Sequence, residues 1–160
     1  MQVAEMLDAT RRRLADVPLE RLGELVPARR VLGVRRAARI VPAGSAWHLG
    51  VLLLTGDGVL ATGDILRARA EVRRGFTAES QRERAALAAA ARRGGFAEGE
   101  TVHLGWTVID LDVLARTGAS GPLRMVDGVP QIRWSRTGGL APLQGYLDDR
   151  IALLSHPAPD

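Results

Sequence analysis

Large apolar side chains fall into short blocks separated by Gly, Pro and Asp, and the longest, Val51 to Leu54, runs directly into Gly56-Asp57-Gly58 and a second apolar segment. That order predicts a buried β-hairpin over 47–66 with Asp57-Gly58 as its turn. Leu54 then faces Ala61, Leu52 faces Gly63, Gly50 faces Ile65 and His48 faces Arg67. Trp47, Leu49, Val51 and Leu53 fall on the opposite face from Leu52 and Leu54, so the first strand is expected to be central and covered on both sides.

The same patterning orders the rest of the chain. Val3, Leu7, Thr10, Leu14 and Val17 recur at helical spacing and predict an amphipathic helix that stops before Pro18. A short helical turn is expected over 19–25. A strand is expected over 29–41, with Leu32, Val34, Ala38 and Ile40 on one face, giving an antiparallel meander. Ser80 and Glu83 fit a capping box that opens a helix through Ala91, with Gly94 as a left-handed cap. That helix is poor in large side chains, so it can approach a sheet closely. A strand over 101–108 follows, then Asp110 as the cap of a short helix ending at Gly118. A second hairpin turns at Asp127-Gly128, pairing Met125 with Pro130 and Leu123 with Ile132; its dry face includes Trp134, and Pro130 argues for an edge strand. Pro142 opens a last helix with Leu143, Tyr146, Leu147, Ile151 and Leu154 on one stripe. His48-Leu49-Gly50 and His103-Leu104-Gly105 form a three-residue echo that chance can supply.

Composition narrows the chemistry. The 160 residues suit a single α+β domain over 1–155, an antiparallel hairpin-built sheet covered by helices, with a disordered tail over 156–160. Cysteine is absent, which removes disulfides, thiolate ligands and cysteine nucleophiles. No apolar run reaches the length of a membrane span and no secretory signal pattern opens the chain, so the expected location is cytoplasmic, with no membrane partner. The formal net charge is +4, and all 22 basic residues are Arg, with neither Lys nor Asn anywhere. That bias reads first as the coding habit of a GC-rich genome, which weakens nucleic acid as an expected partner.

Few residues offer catalysis. Gly56-x-Gly58-x-x-Ala61 has the outline of a dinucleotide fingerprint, but Gly63 interrupts the helix it would need, and a P-loop is excluded by the absence of lysine. His48 and His103 are the candidate general bases, and with Arg67 and Asp64 they compose the candidate polar site if their strands pair. No carboxylate or second histidine stands at zinc-ligand spacing, so neither a metal nor another cofactor is expected. Ser120 lies in a loop outside any nucleophile-elbow pattern, and Asp148-Asp149 reads as a solvated helix face. The arginines from Arg67 to Arg84 could line phosphates, though Glu71, Glu79 and Glu83 interleave.

In AWHLGVLLL, TGD, EVRRGFTAESQRERAALAAAARRGGF, GETVH and PLQGYLDDRIALL the chain resembles an uncharacterised family of small proteins from high-GC actinobacteria. Some members carry the label glutaminase, and the resemblance therefore implies amide hydrolysis without supplying catalytic residues. Serine-dependent glutaminases use a Ser-x-x-Lys nucleophile and amidotransferase types use Cys; this chain has neither Lys nor Cys. The leading expectation is a non-catalytic binding or protein-interaction module, with a protein partner or a second copy as its target. A small-molecule hydrolase using His48 and His103, and a weak nucleic-acid or anion binder using the Arg67 to Arg84 cluster, are the alternatives.

Overall fold

A computed structural model describes residues 2–71 and 78–159. Among them are four helices, α1 (Gln2–Arg13), α2 (Glu79–Arg93), α3 (Leu111–Thr117) and α4 (Leu143–Ser155), and thirteen strands, an α+β fold. The chain divides into two compact units: Met1–Leu19, Ala46–Thr62 and Trp106–Asp160 form the first, Glu20–Ser45 and Gly63–Gly105 the second.

The first unit has one apolar core. Val3 and Leu7 of α1 and Leu14 beyond it meet Leu143, Leu147 and Ile151 of α4, together with Leu49, Leu52 and Leu54 from the predicted hairpin. The hairpin is present, with two changes. Residues 47–54 are not one strand: Gly50, at φ +67°, and Val51 make a tight turn that pairs Trp47 with Leu54 and Leu49 with Leu52. At the other end the turn takes four residues, so Leu54 faces Val59 and Leu52 faces Ala61. Thr55 explains the shift. Its Oγ1 accepts from the Gly58 amide at 2.8 Å and its own amide donates to the Gly58 carbonyl at 3.0 Å, so Asp57-Gly58 is not left to turn alone. Strand Leu52–Leu54 is central as expected and wholly buried.

A four-stranded antiparallel sheet, in the order Ala119–Ser120, Leu123–Val126, Val129–Arg133, Leu140–Pro142, completes this unit. Its middle hairpin has the register expected, Met125 with Pro130 and Leu123 with Ile132, and Asp127 and Gly128 take the left-handed φ values of a primed turn. The strand bearing Pro130 is not at the edge. Its third-strand pairing begins only at Gln131, so the missing N–H falls just outside that ladder. Asp110 caps α3 through the amides of Asp112 and Val113, and Gly118 closes it in the left-handed region.

In the second unit strands Asp64–Arg67, Thr101–Leu104, Glu20–Val26 and the 39–45 part of strand Arg39–Leu49 lie in that order. Glu20–Val26, expected as a helix, is a strand, and it pairs in parallel with Thr101–Leu104 instead of joining an antiparallel meander. Short segments whose apolar residues suit both periods are decided by their neighbours. The 29–41 strand also breaks. Leu32 and Gly33, at φ +52° and +78°, fold Arg29–Val31 against Val34–Arg36 as a two-stranded ribbon of its own, and Leu32, expected inside, is 99% exposed.

Helix α2 lays Ala90 and Ala91 on Ile40, Val102 and Phe96, the close approach its small side chains allow. It begins at Ala78 without a side-chain cap, so Ser80 is inside the first turn and the expected capping box is not formed. Gly94 is right-handed at φ −80°; it is glycine because a Cβ there would overlap the Ile40 carbonyl. A two-residue break that begins at Gly105, φ +72°, splits the predicted 101–108 strand in two, as Gly50 does after the other His-Leu-Gly.

Candidate functional site

Strand Thr101–Leu104 carries His103 between two neighbours, opposite Leu22 on one side and Ile65 on the other. The imidazole is wholly buried, and its Nε2 lies 2.6 Å from Glu20 Oε2. A carboxylate at that distance fixes the ring's orientation. Register settles which of the predicted partners share its face. Arg67, opposite Thr101, is on the His103 side of the strands, exposed, with Nη1 3.5 Å from the Gly99 carbonyl. Asp64, opposite Leu104, alternates to the other side. His48 belongs to the first unit, where its Nε2 is 2.9 Å from the Gly50 carbonyl. Glu20 escaped the sequence reading because its segment looked helical; the Glu-x-Leu alternation ahead of Gly23 was the available signal.

The first unit holds a second candidate. Along α4 Gly145, Asp149, Arg150 and Leu153 form a stripe beside the buried one, and together with Tyr146 from the buried stripe, the cap residue Pro142, Trp134 and Ala141 they line a groove of about 490 Å³. Gly145 and Ala141 add no long side chain to it. Trp134 is 49% exposed and Leu153 61%, so the groove presents apolar surface to solvent. The Arg150 guanidinium stacks over the Tyr146 ring, 5.2 Å from its centroid, and is half-buried. Among the described residues it has no carboxylate partner and no acceptor.

No family model, curated protein or solved structure matches this chain. What its surfaces bind therefore follows from their own side chains.

The arginines from Arg67 to Arg84 divide between a groove and an ion pair. Arg67, Arg69 and Arg84 line one groove of about 640 Å³ with Gln81 and Ala88 in the second unit. Arg82 instead pairs with Glu79 at 3.7 Å, and Arg73 and Arg74 lie outside the described residues. No helix among the described residues is long and apolar enough to cross a membrane.

Proposed function

We propose that the protein is a non-catalytic, cytoplasmic binding module that captures an acidic, apolar peptide segment in the groove along α4. The observation that carries this reading is Arg150: a half-buried guanidinium, held in place by an aromatic ring, beside exposed Trp134 and with no protein carboxylate to answer it. Trp, Tyr and Arg are the residues that dominate interface energetics because they combine large apolar area with a directed polar group. An apolar side chain fills the space over Gly145 between Trp134 and Leu153. A carboxylate beside it meets Arg150, and Asp149 at the rim accepts from a peptide N–H.

The test is an NMR titration of the full chain following the Trp134 indole N–H, with short peptides that place Asp or Glu beside Phe or Leu. Saturable shifts that vanish in Arg150→Ala and in Trp134→Ala support the reading. No shift at millimolar peptide ends it, and phenylacetate binding as tightly as any peptide replaces the peptide by a small carboxylate.

Glutamine hydrolysis, the activity that goes with the actinobacterial resemblance, has one supporting observation, the carboxylate-oriented His103. Ammonia release from glutamine, lost in His103→Gln, would establish it in place of the binding reading.

A further inference from the structure

The ribbon of Arg29–Val31 and Val34–Arg36 carries charge for which the fold itself has no use. Arg29 stands opposite Arg36 and Arg30 opposite Arg35, so two of its three cross-strand pairs set like charges directly against each other, which destabilises a strand pair. A two-stranded ribbon is already marginal in water, and from Arg29 to Arg36 only Val31 is even half-buried. All four arginines are exposed, and among the described residues none forms an ion pair.

Alternation along the strands puts Arg29 and Arg36 on one face and Arg30 and Arg35 on the other. On the first face Arg29 and Arg36 join Arg39 and Arg93 around a concavity of about 270 Å³ that no carboxylate lines. Arg93 is anchored there by its Nε and Nη2, which donate to the Ala38 carbonyl at 2.9 and 2.7 Å.

We propose that this ribbon is an arm that grips the phosphate backbone of duplex DNA. Both faces are basic, and that decides between polyanions. A lipid surface is planar and meets one face of a ribbon, whereas a duplex groove offers phosphates on two walls. The major groove of B-form DNA, about 12 Å wide, admits a two-stranded ribbon, and the deep, narrow major groove of A-form RNA does not. Arginine contacts to phosphate position a protein without reading bases, so binding is independent of sequence. Phosphate also relieves the repulsion between the opposed arginines. This inference does not rest on the α4 groove.

Fluorescence anisotropy of a labelled duplex of about 20 base pairs with the full chain tests it. If four phosphates are engaged, affinity falls about 100-fold between 50 and 200 mM salt; the double variant Arg30→Gln, Arg35→Gln, with two contacts fewer, loses only about 10-fold over the same range and binds more weakly at 50 mM. The variant's Tm should equal or exceed the parent's, since a like-charge pair has been removed, and this separates lost binding from lost folding. Absence of binding at 50 mM salt, unchanged affinity in a folded double variant, or tighter binding to phosphatidylserine vesicles or to duplex RNA than to duplex DNA would each overturn the proposal.

Discussion

Gly50 shows how one residue can hold a turn that sequence patterning passes over. Its φ of +67° is open to glycine, and a Cβ there would meet the Tyr146 hydroxyl and the Arg150 guanidinium. That hydroxyl accepts from the Val51 amide at 2.8 Å and donates to the Leu49 carbonyl at 2.7 Å, closing both sides of the turn from α4. Gly50→Ala should cost about 1–3 kcal/mol from the left-handed backbone alone, lowering Tm by roughly 2–12 °C in a calorimetric scan. Tyr146→Phe keeps the ring but leaves two backbone groups without their partner, and about 1–3 kcal/mol is the expected loss in denaturant unfolding. Asp148 carries a clear protonation shift. The hydrogen bond from Arg13, at 2.5 Å, holds its carboxyl below the ordinary aspartate range. Because the folded value is lowered, the pair's contribution is complete above the unfolded aspartate pKa and is lost as pH falls through the folded one. Both side chains are exposed, so Arg13→Gln should return the Asp148 midpoint, read by carboxyl chemical shift, to the ordinary range without a measurable change in Tm.

Among elements, α2 depends most on a single small residue. Its C-terminal Gly94 sits where the Ile40 backbone leaves no room for a side chain, so Gly94→Ala should destabilise by about 3 kcal/mol, the upper end of ordinary overpacking. Faster hydrogen exchange at the buried Ala90 and Ala91 amides would register it. Which elements were legible follows from who supplies their turns. The hairpin at Asp127-Gly128 was readable to the residue because that dipeptide adopts the primed turn it specifies. The turn at Asp57-Gly58 was misread by two residues because Thr55 intervenes through its hydroxyl. Nothing in Leu32-Gly33 announced a turn, since leucine seldom takes a left-handed φ, and the arginine ribbon was hidden inside a nominal strand. The site was legible unevenly. His103 could be named from its type, but its partner Glu20 lay in a segment whose period suited a helix. Trp134 was seen only on the dry face of a hairpin and Arg150 not at all, because the second stripe of α4 is polar and small as well as apolar.

At the level of the whole molecule there are two cores, each drawn from segments far apart in sequence. Leu147 is fully buried in the first, and Leu147→Ala should cost about 2–5 kcal/mol, seen as lost amide protection along α1 and α4. No linker marks the division because the chain passes between units at Leu19, Ser45, Thr62 and Gly105, in or beside strands where Pro- or Ser-rich composition would interrupt pairing.

That interleaving has a consequence for a chain made from its N-terminus. Every segment of the second unit has left the ribosome once Gly105 emerges, whereas α1, made before all of them, waits for Leu143, Leu147 and Ile151, made after them, to cover Val3 and Leu7. Through most of translation that greasy stripe stays wet, a natural handle for holdase chaperones and a place where slow elongation would lower the yield of folded protein.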